Sequence, residues 1–262
     1  MISLPGFDGG GREYDKEELP GRLFIVEGID GSGKSTQLDL LHKWLTSRGY
    51  LVVFSEWNSS AIVKGTTRRG KKRRLLSPVS FSLIHAADFA SRVYSQIRPA
   101  LQAGAIVLAD RYVYTAFARD SVRGISRGWL RELYSFAVKP TLAFYFDVPL
   151  DEAVSRIMEG RPVLKYYEAG MDLGLSDDLE ESFRLYQGRI REEYERLVEE
   201  FGLVRVDATE NLIMQQRRVR DLVLPHLEGV PRSGNDPTAD VLREAGLVGR
   251  YLERSPSTEP PR

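Results

Sequence analysis

Apolar residues along the chain fall into two kinds of run. The segments Arg22-Leu-Phe-Ile-Val-Glu27, Tyr50-Leu-Val-Val-Phe54, Ala105-Ile-Val-Leu-Ala109, Leu142-Ala-Phe-Tyr-Phe146 and Leu203-Val-Arg-Val206 are short and almost continuously apolar. That is the pattern of strands buried on both faces in a parallel sheet. Between them, apolar positions recur every three or four residues. Leu38, Leu41 and Leu45, joined by Trp44, make one helical face, and Gly49 is placed to end it. A longer helical stretch runs from Pro78 to Gln102, and two shorter ones precede the fourth strand. Phe183, Tyr186, Ile190, Tyr194, Leu197 and Phe201 lie on one face of a long helix, where core packing accounts for them. A last helix, near Gln215 to Leu224, closes the domain. Alternating strands and helices predict an α/β fold in three layers, a five-stranded parallel sheet flanked by helices.

The alternation is confined to residues 21–228, which read as one domain in a chain of 262 residues. Residues 1–20 form a polar leader without a signal peptide's apolar stretch, and residues 229–262 read as a linker and flexible tail. Lys plus Arg and Asp plus Glu each number 37, so no whole-molecule field draws the chain to nucleic acid or an anionic membrane. Cysteine is absent, which excludes disulfides and thiolate metal sites. The cytosol is the expected compartment, with no membrane association.

Candidate chemistry begins where the first strand ends. Gly28, Ile29, Asp30, Gly31, Ser32, Gly33, Lys34 and Ser35 match G-x-x-x-x-G-K-[ST], between a predicted strand and a predicted helix. Glycines allow successive N–H groups to face phosphate oxygens, and the helix adds its positive end. Lys34 is expected to reach the outer phosphates of ATP, Ser35 to ligate magnesium and Thr36 to meet an inner phosphate. Asp110 ends a buried strand on the same sheet edge and is the second candidate magnesium ligand. Glu27, Glu56 and Asp147 share that edge, with Asp147 having the weakest claim.

These residues resemble the thymidylate kinase family of P-loop nucleoside monophosphate kinases. The resemblance covers Arg22 to Leu224 and rests on the stretch from Phe24 to Gln37, with support from Ala86-Ala-Asp88, Asp110-Arg-Tyr112, Phe146-Asp-Val-Pro149 and Val206-Asp-Ala208. It implies the P-loop NTPase fold, transfer of the ATP γ-phosphoryl group to a monophosphate, dTMP first, and magnesium as cofactor. It also implies that Asp30 lies near acceptor and metal and that Arg111 meets the acceptor. One branch carries an arginine inside the phosphate loop. Gly31 holds that place here, so catalytic cations are expected from a lid over about 160–176, with Arg161 and Lys165 as candidates.

The acceptor side departs from the resemblance. His85 stands where an aromatic residue is usual and Phe89 where an arginine is usual. His85 is therefore a candidate for stacking on a base, as against a structural role, with Asp88, Arg92, Arg111, Tyr112 and Glu56 as further acceptor candidates. Lys64 to Arg74 holds seven cations, two glycines and two threonines, and reads as a mobile basic loop without a regular helix. It is a solvated run, a flap over an anionic acceptor or a nucleic-acid contact, and the absence of aromatics within it argues against the last. A kinase for another nucleotide or nucleoside, with Glu56 as proton acceptor for a hydroxyl, stays open, as does a homodimer.

Overall fold

The computed structural model describes residues 19–160 and 164–232. Most of the 1–20 leader, the 233–262 portion of the linker and tail, and Arg161 lie outside the described residues. The expected strands appear as β1 (Arg22–Glu27), β2 (Val52–Glu56), β3 (Ile106–Asp110), β4 (Leu142–Asp147) and β5 (Val204–Asp207). All pair in parallel in the order β2-β3-β1-β4-β5. Four strands end one or two residues later than the apolar pattern predicts. The ladder continues through the acids at the carboxyl edge, where Glu56 pairs with Asp110 and Asp147 with Asp207. Each acid therefore belongs to the rigid sheet and is aimed by it.

The helices are α1 (Lys34–Ser47), α2 (Lys64–Lys72), α3 (Pro78–Arg92), α4 (Arg98–Gln102), α5 (Val113–Val122), α6 (Arg127–Leu133), α7 (Leu150–Gly160), α8 (Leu179–Phe201) and α9 (Leu212–Val223). They flank the sheet, α1 packing with α9 and α5 along α8. The single stretch expected over 78–102 is interrupted by a π-helical segment, Val93–Ile97. Pro99 follows directly and cannot donate an N–H to the preceding turn, which explains the local shift. The buried core joins Leu38, Leu41 and Leu45 to all four residues Leu23–Val26, to Ile106–Ala109 and to Phe144–Phe146. Four of the residues predicted on the α8 face, Tyr186, Ile190, Tyr194 and Leu197, are in it as well.

The run from Lys64 departs from expectation, because Lys64–Lys72 is an α-helix. Its two glycines are not breakers. A Cβ at Gly70 would come within 2.7 Å of Leu76 Cδ2, so this glycine allows close packing. Thr67 is buried with its hydroxyl on the Val63 carbonyl at 3.1 Å, and Arg69, Lys71 and Lys72 occupy the last turn, where a positive charge suits the helix dipole. The segment therefore has an inward face, with Lys71 Nζ 5.2 Å from the Phe81 ring centre.

Candidate active site

The glycine-rich loop leaves β1 at Gly28 and enters α1 at Lys34, and its form follows from close approaches. Gly31 has φ of +83°, and a Cβ there would meet the Ala153 carbonyl oxygen at 2.3 Å. A side chain at that position, an arginine included, collides with the start of α7. Lys34 is buried, with Nζ donating to the Ile29 carbonyl at 3.1 Å. Burial, with Arg111 adding to it, lowers the ammonium to about 8 against the opposing pull of Asp30, Asp110 and Glu27. Ser35 donates its hydroxyl to Asp110 Oδ2 at 2.5 Å, while Asp110 Oδ1 is buried without a hydrogen-bond partner among the described residues. One hydroxyl and one incompletely paired carboxylate at a phosphate loop are hard oxygen donors of the kind magnesium takes, alongside waters and phosphates. Lys34, Ser35, Thr36, Asp110 and Glu56 line a cleft of about 400 Å³.

A larger cleft of about 880 Å³ opens beside it. Asp30, Trp57, Asn58 and Arg111 line both, so the clefts meet at these residues. Arg111 bonds the Asp30 carboxylate, and burial of its charge is outweighed by Asp30, Tyr194 and Asp110, which hold its pKa above the ordinary value. Its backbone is left-handed at φ 69°, a strained conformation for a non-glycine residue. The strain is held by anchors on either side. Arg111 N–H bonds Val26 O at 3.1 Å, and the next residue, Tyr112, donates its N–H to Glu27 Oε1 at 2.7 Å. The Glu27 carboxylate also accepts from Thr115 N at 3.1 Å, Thr115 Oγ1 at 2.6 Å and Tyr194 OH at 2.8 Å. Glu27 thus caps α5 and ties it to α8. Burial raises its pKa, against these bonds.

The wall of the larger cleft was not legible in any motif. Trp57 and Phe81 line it together with Tyr186, Gln187, Ile190 and Tyr194 of α8, and Lys64, Lys71 and Arg119 supply cations. Lys71 falls to about 8 through burial and its neighbours Arg119 and Arg123. Sequence reasoning had one usable signal here, a tryptophan directly after the acid that ends β2.

Several sequence candidates stand behind this wall instead of in it. His85 is wholly buried, its Nδ1 2.7 Å from Phe81 O and its ring stacked 6.3 Å from Trp57. Burial, reinforced by Arg119 and Lys71, holds its pKa well below the ordinary value, so it is neutral. Asp88 accepts from Asn58 N at 3.1 Å and Ser60 N at 3.0 Å, fixing the loop after β2. Arg92, also buried, donates to Ser55 Oγ at 2.9 Å and lies 5.6 Å from the Trp57 ring centre. Tyr112 is buried with its hydroxyl on Val138 O at 2.8 Å. None of these four side chains lines either cleft. Lys165 lines the larger cleft, not the phosphate loop, and pairs with Glu168 at 2.9 Å. Asp147 instead pairs with Arg191 and Arg205, at 3.0 and 2.5 Å. Arg156 of α7 was not anticipated; it reaches Gly31 O at 3.4 Å and Ala208 O at 2.9 Å.

Residues 26–218 match the sequence profile of the family described as thymidylate kinase. The chain belongs to the thymidylate kinase family. It is 41% identical over 211 residues to the probable thymidylate kinase 2 of Saccharolobus solfataricus, covering 80% of this chain and 99% of that protein. It is 33% identical over 202 residues to a probable thymidylate kinase of Thermococcus gammatolerans, covering 74% of this chain and 90% of that one. A thymidylate kinase of Thermoanaerobacter pseudethanolicus is 30% identical over 226 residues, covering 80% of this chain and all of its own length. The five-stranded parallel sheet has the P-loop NTPase architecture, and the thymidylate kinase family consists of ATP-dependent nucleoside monophosphate kinases. Among the described residues no helix is long and apolar enough to cross a membrane.

Proposed function

We propose that this family member transfers the γ-phosphoryl group of ATP to dTMP, giving dTDP and ADP, with the phosphate loop as donor site and the larger cleft as acceptor site. The observation that carries the reading is that the two clefts share Asp30 and Arg111. A donor in one and an acceptor in the other bring their phosphates to the same guanidinium. An acceptor phosphate oxygen then attacks the γ-phosphorus, the bond to the β,γ-bridging oxygen breaks, and ADP leaves. A phosphate nucleophile is already ionised, so positioning and charge neutralisation carry the catalysis and no general base is required.

Each residue has a part in this. Gly28 to Thr36 cradle the ATP phosphates, Lys34 meets the outer ones, and Arg111, oriented by Asp30, holds the acceptor phosphate. Ser35 and Asp110 would hold magnesium, which neutralises phosphate charge when bound. The segment 160–176, with Arg161 and Lys165, acts as a lid, and His85, Asp88, Arg92 and Tyr112 support the acceptor wall from behind. The exposed apolar residues Val79, Leu83 and Tyr94 lie along one side of α3 and the π segment and support a homodimer. A second reading draws on the charge of the cleft. Lys64, Arg68, Lys71, Lys72 and Arg74 line it together with Lys165, more cations than one monophosphate requires, which favours a more anionic nucleotide acceptor.

Coupled ADP-release assays against a panel of nucleoside mono- and diphosphates test both. Turnover with dTMP well above the ATPase background is expected. Its absence overturns the thymidylate assignment, and preference for a diphosphate favours the second reading.

A further inference from the structure

One stretch of the acceptor cleft's wall, Lys165 to Glu168, belongs to a turn between α7 and α8, outside any strand or long helix. The sheet does not aim these residues as it aims Glu56 and Asp110. A buried arginine holds them instead. Arg123 follows α5 directly, and its side chain is 1% exposed. Nε donates to Asp172 Oδ2 at 2.8 Å and Nη2 to Oδ1 at 3.2 Å, a two-point pair with the short helical turn Met171–Leu173. Nη2 also donates to Tyr167 O at 2.9 Å, and Nη1 donates to the Tyr186 hydroxyl of α8. The guanidinium carbon lies 4.5 Å from the Phe81 ring centre. Arg123 lines neither cleft, whereas Phe81, Tyr167 and Tyr186 all line the larger one. The same segment is pressed onto α8, since a Cβ at Gly170 would come within 2.6 Å of the Tyr186 ring. It also meets the chain after α2. Leu76 N donates to the Tyr167 hydroxyl at 3.4 Å, and the Arg74 guanidinium carbon stands 4.2 Å from the Tyr166 ring centre.

We infer that Arg123 is a positioning residue for phosphoryl transfer: through Tyr167, Asp172 and Tyr186 it sets where the 165–168 stretch stands against the acceptor, without touching substrate. The inference rests on the proposed acceptor site. A planar guanidinium fixes several acceptors at set angles, which a point charge on a flexible stem does not. A buried ion pair adds little net stability over apolar side chains of similar size, because desolvation offsets the attraction. Its geometric demand is what distinguishes it from such a replacement. Here that demand falls on Tyr167 and Asp172, which flank the turn, and on Tyr186 across from them. A displacement of about 1 Å in groups that face a substrate is enough to impair binding and transfer.

The test is steady-state kinetics with dTMP and ATP in the native protein, in Asp172→Ala and in the double variant Arg123→Met with Asp172→Leu, beside thermal unfolding of each. In both variants we expect the dTMP KM to rise at least about fivefold while the ATP KM changes less than about twofold. Asp172→Ala leaves a buried guanidinium without its counter-charge and should unfold at a lower temperature. The double variant replaces the pair by apolar side chains and should keep a midpoint close to the native one. Acceptor binding and stability then respond separately. A purely structural role predicts the opposite, a native dTMP KM with kcat falling only as the folded fraction falls. A native dTMP KM in either variant, measured on folded protein, overturns the inference, as does an equal rise in both KM values. If the native protein turns over no dTMP, the proposed acceptor site fails and takes the inference with it.

Discussion

The donor and acceptor clefts share a wall yet are built in different ways. Half of the donor cleft's lining comes from one stretch of chain, Asp30 to Thr36, completed by the acids that end β2 and β3, the residues that follow them, and Ile157. The acceptor cleft takes residues from the loop after β2, from α2, α3, α5 and α8, and from the segment before α8. One is a local conformation and the other a tertiary assembly. The difference teaches that a phosphate site, which needs backbone N–H groups and one cation, can be written in nine residues, whereas a pocket for a particular base cannot. Substitutions should therefore separate the two clefts cleanly.

The largest separation is expected from Lys34→Ala, which should lower phosphoryl transfer by about 10³-fold. Equilibrium dTMP binding should be retained; loss of both would show that the clefts are not independent. Asp110→Asn should cost roughly 10²-fold, recovered in part by raised magnesium, because the carboxylate supports the ion together with Ser35. A magnesium titration of kcat that is identical in the two proteins would remove Asp110 from that role. Gly31→Ala should destabilise the fold by about 1–3 kcal/mol, since the Ala153 carbonyl occupies the space and φ is positive. Thermal unfolding with an unchanged midpoint would contradict this account of the glycine. On the other side, Trp57→Ala should raise the dTMP KM roughly tenfold by removing a stacking surface, with a smaller rise in the ATP KM because Trp57 also borders the donor cleft.

The smallest effect is that of pH. The Lys34 ammonium is lowered to about 8 in the unliganded protein, below its ordinary 10.5. Between those values the unfolded chain binds more protons than the folded one, so the Lys34 contribution makes the free protein more stable as pH rises through that window. ATP phosphates favour the charged form, so ATP affinity should fall above about pH 8, by at most about tenfold per pH unit. Calorimetric titrations at pH 7 and 9 check the sign.

The same contrast governs what the sequence revealed. All five strands were legible because continuous apolar runs suit burial on both faces. Their ends were read one or two residues short because the apolar runs stop before Glu56, Asp110 and Asp147, whereas parallel pairing carries the ladder through these acids. The phosphate loop was legible in full. The helix at Lys64–Lys72 was not, because like charges and glycines disfavour it locally, and tertiary packing, of Gly70 on Leu76 and of Lys71 over Phe81 among other contacts, offsets that. His85 and Arg92 looked like ligands because a polar residue on a helix can face either way. Tertiary contacts turn both under Trp57, and the residues that do face the cleft, Phe81 and Arg119, had no motif to mark them.

The claim that the clefts meet at Arg111, with the acceptor phosphate held there, is tested most directly by steady-state kinetics of Arg111→Gln. We expect the dTMP KM to rise at least about tenfold and kcat to fall, while the ATP KM changes less than about twofold. An unchanged dTMP KM would contradict it.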